Sequence, residues 1–137
     1  TEYAKALTWE GRMNALTCQQ YVWGKQLFAL ERLRGQVEAV ITDSPILLSL
    51  HYGQHEKDSW KQNVIETFNS FDNMNFMLER KKKYVPIGRN QTEDQAKDID
   101  VSIRNILQNR GVDFISIPGD HNGVDLIVDQ VIKTISK

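Results

Sequence analysis

The sequence predicts an α/β protein, a three-layer αβα sandwich built around a parallel sheet. Short apolar runs that suit buried strands alternate with longer segments of helical periodicity. Strands that are separated by helices pair in parallel through right-handed crossovers. The chain has 137 residues, 40% of them hydrophobic and 26% charged, which suits one globular domain covering 1–137.

The predicted elements alternate along the whole chain. In order, they are helices at 2–11 and 17–34, a strand at 37–42, helices at 45–52 and 59–71, a strand at 74–79, a helix at 92–110, a strand at 113–117 and a helix carrying 124–135. Two pairs have the spacing of a capping box: Thr17 with Gln20, and Thr92 with Gln95. Three strands are few for an open sheet, which usually has about four to six. The prediction is therefore a sheet that lacks strands from its N-terminal end.

The strand at 37–42 ends in Asp43, Ser44 and Pro45. In open parallel sheets, ligands bind at the carboxyl ends of the strands. A carboxylate at that position can hold Mg²⁺ during phosphoryl transfer. The structural alternative is a cap for the helix that begins at Pro45, a role for which Ser44 is better placed. The phosphate-binding motif G-x-x-x-x-G-K-[ST] does not occur in these residues.

Five short motifs follow one another along nearly the whole chain. They are Glu2-Tyr3-Ala4-Lys5, Gln19-Gln20, Ile41-Thr42-Asp43-Ser44-Pro45, Gly88-Arg89-Asn90-Gln91 and Pro118-Gly119-Asp120. Their order resembles the P-loop nucleoside and nucleotide kinases, including the ribosylnicotinamide-kinase-like AAA-type ATPases that phages often carry. The resemblance implies a P-loop NTPase-like fold, of which this chain is the C-terminal portion without the first two strands. It also implies ATP-dependent phosphoryl transfer to a nucleoside or nucleotide.

The resemblance assigns roles to individual residues. The implied catalytic residues are Asp43, which corresponds to Walker B and holds Mg²⁺, with Arg89 and Glu2. The residues implied to bind ATP are Ser44, Arg80, Lys83, Gly119 and Asp120. The residues implied to bind the acceptor substrate are Tyr3, Lys5, Arg12 and Gln19. A basic loop over 80–91 is implied to close as a lid on the phosphates.

Each role has a structural alternative. Glu2 suits the start of a helix in any protein. The basic loop over 80–91 is equally consistent with a solvated run of charges. Gln19 precedes Gln20, which the capping box would use, and Asp120 can cap the last helix.

Composition limits the partners. The formal net charge is −1, and no apolar run approaches the roughly 20 residues of a membrane span. We therefore expect neither a nucleic acid nor a membrane partner. A single cysteine, Cys18, and the lack of a secretory leader predict a cytoplasmic protein. The expected partners are the acceptor, and either a further copy of the chain or a segment that completes the sheet.

Two other functions fit the sequence. A protein with this fold that lacks a phosphate-binding loop could be a non-catalytic nucleotide-binding or protein-interaction module. It could also be an ATPase that switches a partner.

Overall fold

A computed structural model describes residues 3–81 and 92–136, apart from the side chain of Lys5. The helices are α1 (Tyr3–Trp9), α2 (Met13–Thr17), α3 (Gln19–Glu31), α4 (Leu48–Tyr52), α5 (Asp58–Asn69), α6 (Glu93–Asn109) and α7 (His121–Ile135). The strands are β1 (Phe76–Glu79) and β2 (Ile115–Pro118). The described part of the chain is therefore mainly helical.

The core lies between the helices. Its buried residues come from α4, the turn before it, and α5: Ile46, Leu47, Leu50, Trp60, Val64 and Phe68. The helix predicted at 59–71 is confirmed as α5, and its inner face carries Trp60, Val64 and Phe68, which recur at i, i+4 and i+8 and are all buried. Partly buried apolar residues of α3 and α6 pack against this cluster. Burial of an aliphatic or aromatic side chain contributes about 1.5–3 kcal/mol, so each of these core residues stabilises the packing of the helices.

Two tryptophans join α3 to α5 inside this core. The rings of Trp23 and Trp60 meet edge to face, with centroids 6.1 Å apart and planes at 83°. This geometry is favourable for aromatic pairs. No described residue accepts a hydrogen bond from either buried indole N–H group.

β1 and β2 form a small parallel sheet outside this core. The register pairs Phe76 with Ile115 and Leu78 with Ile117. α7 packs on β2 at Gly123, where an added Cβ would lie 3.8 Å from the Ile117 side chain. Ile117 is 2% exposed, whereas Leu78, on the adjacent strand, is exposed. The predicted parallel pairing of these two strands is confirmed.

The predicted three-layer sandwich is wrong. Residues 3–81 and 92–136 contain one sheet of two strands, and most of the helices pack on one another. The residues at 37–42 do not form a strand, and Val37, Val40 and Ile41 are exposed. A β-branched sequence becomes a strand only when a neighbour satisfies its backbone groups and covers its side chains. No described strand does so for 37–42.

The helix ends also differ from the prediction. α4 begins at Leu48 and not at Pro45, and no side chain caps it, so the capping role considered for Ser44 is wrong. The chain leaves helical geometry at Cys18, which separates α2 from α3. The Thr17 hydroxyl donates to the Asn14 carbonyl oxygen over 2.7 Å, so Thr17 does not cap α3. The second capping box is confirmed, since Thr92 and Gln95 bond to each other's backbone amides at the start of α6. None of the helices in the described ranges has both the length and the apolar character needed to cross a bilayer.

Candidate functional site

The turn that carries Asp43 lies at the surface before α4. The Ser44 hydroxyl donates a hydrogen bond to the Asp43 carboxylate over 3.2 Å, and the Thr42 hydroxyl accepts one from the Ser44 amide over 3.1 Å. Partial burial raises the pKa of the Asp43 carboxyl, but hydrogen bonds to the carboxylate, among them that of Ser44, outweigh it and leave the pKa below its usual value. The turn thus presents an ionised carboxylate beside a hydroxyl, and Mg²⁺ prefers such oxygen ligands.

The carboxyl ends of β1 and β2 meet at one edge of the sheet. The register pairs Glu79 with Pro118, so Arg80 and Gly119 follow side by side. The Gly119 amide donates to the Glu79 carbonyl oxygen over 2.9 Å. A Cβ on Gly119 would lie 2.6 Å from that oxygen, so this close approach requires glycine. Three residues predicted to bind ATP, including Asp120, therefore lie together.

Asp120 caps α7. Its carboxylate accepts hydrogen bonds from the amides of Asn122 and Gly123 over 3.0 and 3.3 Å. The capping alternative for Asp120 is confirmed, and its role beside adenine stays a prediction.

Arg80 is tied to α6. Its guanidinium forms two hydrogen bonds with the Asp100 carboxylate, one from Nε and one from Nη2, the latter over 2.9 Å. Nη2 also donates to the Ala96 carbonyl oxygen over 3.3 Å. Such a bidentate pair holds a guanidinium in one orientation. Any contact between Arg80 and a phosphate would have to be shared with Asp100.

Four of the predicted site residues fall outside what the structure describes. They are Glu2, Lys83, Arg89 and the side chain of Lys5. Most of the basic loop predicted as a lid, 82–91, also lies outside the described residues. These roles stay predictions.

Arg12 and Gln19 have different environments. Arg12 is exposed, with its guanidinium 3.6 Å from the Glu10 carboxylate, and lines a shallow depression of about 330 Å³ between α1 and α2. Gln19 is 7% exposed, and its side-chain amide donates to the Leu16 carbonyl oxygen over 2.6 Å. The Gln19 side-chain amide is therefore already hydrogen-bonded at the start of α3. Arg12, in contrast, is accessible to a ligand.

A shallow groove of about 420 Å³ runs along the solvent side of α3. We call it the α3 groove, and its lining residues are Gln20, Tyr21, Gly24, Lys25 and Phe28. Tyr3, predicted to bind substrate, reaches its rim: the Tyr3 hydroxyl donates to the Tyr21 hydroxyl over 2.8 Å. This hydrogen bond raises the pKa of Tyr3 above its usual value.

α3 has an unusual distribution of side chains. Its inner side buries two amides, Gln19 and Gln26, while its outer side exposes Tyr21 and Phe28, the latter 66% exposed. Aromatic side chains gain most from burial, so this arrangement costs stability in the isolated chain. Exposed aromatic groups around a concave surface are typical of binding sites.

The α3 groove was not predicted, although the sequence contains a signal for it. Tyr21, Lys25 and Phe28 are spaced i, i+4 and i+7, which places them on one face of a helix. That face is opposite Trp23, Leu27 and Leu30, which pack on the core. The two faces of α3 are therefore both apolar, and only one of them is needed for folding.

A histidine and a serine meet where α4 contacts α6. His51 Nδ1 lies 2.8 Å from Ser102 Oγ, and the His51 ring packs edge to face on Tyr52. Burial lowers the pKa of His51, and burial together with the charge of Asp100 raises the pKa of Tyr52. No carboxylate among the described residues bonds to the other ring nitrogen of His51, so the pair lacks the orienting group of a catalytic triad. Its evident role is to join the two helices.

Comparison with known proteins does not assign this chain to a family. No family model, curated protein or solved structure matches this chain. Within the described residues, no three histidine, cysteine, aspartate or glutamate side chains group as a metal site. The functional hypotheses therefore depend on the chemistry of the sites themselves: the Asp43 turn, the carboxyl edge of the sheet and the α3 groove.

Proposed function

We propose that this chain takes part in Mg²⁺-dependent phosphoryl transfer from ATP to a nucleoside or nucleotide. The observation that supports this most is the shared carboxyl edge of β1 and β2, where Arg80, Gly119 and Asp120 lie together. Ligands of parallel sheets bind at this edge. One of the motifs that resemble nucleoside kinases, Pro118-Gly119-Asp120, lies at this edge.

In this proposal, the loop at Gly119 and Asp120 contacts adenine, and Asp43 with Ser44 offers oxygen ligands to Mg²⁺. The γ-phosphoryl group passes to an acceptor hydroxyl, the bond to ADP breaks, and the hydroxyl proton passes to a carboxylate, the predicted role of Glu2. Arg89, Lys83 and the other cations of the basic loop neutralise charge on the phosphates. Catalysis of this kind depends on positioning and charge stabilisation.

The test is ATP binding with and without Mg²⁺, measured by calorimetry and by amide chemical shifts. We expect saturable shifts at Gly119 and Asp120. Asp43→Asn should weaken the Mg²⁺-dependent part of binding by about tenfold, the size expected for one lost charged contact. Glu38→Gln is the matched control, because Glu38 is an exposed carboxylate in the same segment.

Two results would contradict the proposal. One is the absence of any ATP binding in the presence of Mg²⁺. The other is equal binding by wild type, Asp43→Asn and Glu38→Gln, which would remove Asp43 from the site. If ATP binds and phosphate is released without a phosphorylated nucleoside, the chain is an ATPase that acts on a partner.

A second candidate function, a non-catalytic interaction module, is favoured by the exposed segment at 37–42. Ile41 is 74% exposed, and Val37 and Val40 are also exposed. Clustered exposed aliphatic residues often mark protein contacts. If ATP does not bind, and light scattering shows a concentration-dependent dimer that Ile41→Lys abolishes, this second function is the better description.

A further inference from the structure

We propose that two copies of this chain pair reciprocally: residues 37–41 of each copy add as a strand to the outer edge of β1 in the other copy. The inference rests on the second candidate function, an interaction module, and gives that function a partner and a mode of contact. It does not depend on ATP or Mg²⁺. A strand that joins an exposed sheet edge binds through backbone hydrogen bonds, and its alternate side chains fill the surface beside that edge.

The outer edge of β1 has unpaired backbone groups. The Glu79 carbonyl oxygen accepts a hydrogen bond from the Gly119 amide, so the backbone of Glu79 faces β2. Successive residues of a strand direct their backbone groups to opposite sides, and those of Phe76 and Leu78 therefore point away from β2. Within residues 3–81 and 92–136, the sheet contains no third strand that pairs with them.

The outer edge of β2 is a poorer site for a strand. Because Gly119 and Ile117 direct their backbone groups toward β1, Ser116 and Pro118 direct theirs outward. Pro118 has no N–H group to donate, and proline on an edge strand hinders pairing with a further strand. The edge with complete backbone groups is therefore that of β1.

Beside the edge of β1 lies an apolar surface that the sheet leaves uncovered. Leu78 pairs with Ile117 in the register and lies on the same face of the sheet. Ile117 is 2% exposed beneath α7, whereas Leu78 is 56% exposed. A strand on the outer edge of β1 places a side chain about 5 Å from Leu78 and excludes water from it. Burial of apolar surface is the main favourable contribution to most protein association.

Residues 37–41 have the composition and the exposure that such a strand requires. Their backbone groups form no hydrogen bond with a described residue, and all five side chains are exposed. In an extended chain, Val37, Ala39 and Ile41 lie on one side, and Glu38 and Val40 lie on the other. The first side supplies three aliphatic groups for the uncovered surface beside β1.

A second copy is the source of the edge, because residues 37–41 are held on their own helical core. Leu30 of α3 packs on that core before the segment, and Ile46 is buried in it after the segment. The structure does not pair residues 37–41 with β1 of the same copy. Each copy supplies one segment and one edge, so a two-fold axis satisfies both and closes the assembly as a dimer.

The test is analytical ultracentrifugation of wild type and of two variants over a range of concentrations. Ile41→Lys and Leu78→Glu each place a charge in the proposed contact. Each dimer of one variant carries the substitution at both sites, so we expect it to be about 100-fold weaker, roughly tenfold for each site. Both side chains are exposed in the single copy, so the melting temperature of the monomer should not change. Val101→Lys is the matched control, since Val101 of α6 is an aliphatic residue that is 59% exposed.

A mixture of the two variants provides the sharpest comparison. In a mixed dimer, one site carries neither substitution, and the other places the introduced ammonium near the introduced carboxylate. Opposite charges attract across neighbouring strands, so the mixed dimer should be at least about fivefold tighter than the dimer of either variant alone. Hydrogen exchange is a second measurement. The amides of Phe76 and Leu78 should exchange more slowly as the wild-type concentration rises, whereas the amide of Glu79, which faces β2, should not change.

Several results would overturn the inference. A wild-type chain that stays monomeric excludes the pairing and the second candidate function together. A dimer that Ile41→Lys weakens and Leu78→Glu does not weaken leaves the interaction module standing but excludes the edge of β1 as its site. No recovery on mixing, or equal weakening by Val101→Lys, excludes reciprocal pairing, and species larger than a dimer exclude the two-fold closure. Because these measurements contain no ATP, the phosphoryl-transfer proposal can fail while this one holds, and the reverse.

Discussion

Substituting Gly123 by alanine should separate α7 from the sheet. A Cβ on Gly123 would lie 1.9 Å from the Pro118 carbonyl oxygen. Even a close carbon–oxygen contact needs about 3.3 Å, so the backbone must move by about 1.4 Å. Overpacking of this kind costs about 1–3 kcal/mol. For a chain of this size, we expect the melting temperature to fall by roughly 3–12 °C.

The matched control is Gly24→Ala, which makes the same chemical change in another helix. Nothing lies within 4 Å of the added Cβ there, so the alanine should raise the free energy of unfolding by up to about 1 kcal/mol. Thermal and urea unfolding of both variants provide the measurement. A Gly123→Ala variant as stable as wild type would refute the close approach of α7 to β2. Equal changes of the same sign in both variants would show that helix propensity alone decides.

Two further predictions concern α6 and the contact between α4 and α6. Thr92→Ala removes the capping box of α6 and should lower the free energy of unfolding, measured in urea titrations, by about 1 kcal/mol. No change would mean that the first turn of α6 is already frayed in the wild type. Burial lowers the pKa of His51 below 6.5 in the folded chain. Below about pH 6.5 the unfolded chain therefore binds more protons than the folded chain. The free energy of unfolding should fall as the pH drops from 6.5 through the pKa of the folded chain. His51→Gln should flatten this part of the pH profile, and an NMR titration that places the pKa of His51 at or above 6.5 would contradict the prediction.

Features that depend on local chemistry were predictable from the sequence. The helix predicted at 59–71, observed as α5, and the capping box of α6 both follow from spacing within one segment of the chain. Helix periodicity and capping are decided within a few residues of the chain, so a sequence pattern is sufficient for them.

Features that depend on distant neighbours were not predictable. The segment at 37–42 has the composition of a strand, but composition cannot supply the partner that a strand needs. The break at Cys18 was not predicted either, although its cause is local: the Thr17 hydroxyl bonds backward to Asn14 rather than forward into α3.

The candidate sites also include some features that were predictable from the sequence and some that were not. Arg80, Gly119 and Asp120 were predicted to act together, and the strand register does bring them to one edge. The ion pair of Arg80 with Asp100 was not predictable, because it joins residues 20 positions apart whose spacing has no local signature. The α3 groove was missed because its aromatic residues were not distinguished from those that pack on the core.

The Trp23–Trp60 pair allows the packing of the helical core to be followed by circular dichroism. Both rings lie between α3 and α5, and neither strand nor α7 contains a tryptophan. Near-ultraviolet circular dichroism should therefore follow the packing of α3 on α5, while far-ultraviolet dichroism follows all of the helices. If Gly123→Ala releases α7 alone, the far-ultraviolet signal will decrease at a lower temperature than the signal of the indole pair. Non-coincident transitions of this kind would show that the chain unfolds in two steps, with the β1–β2–α7 unit first.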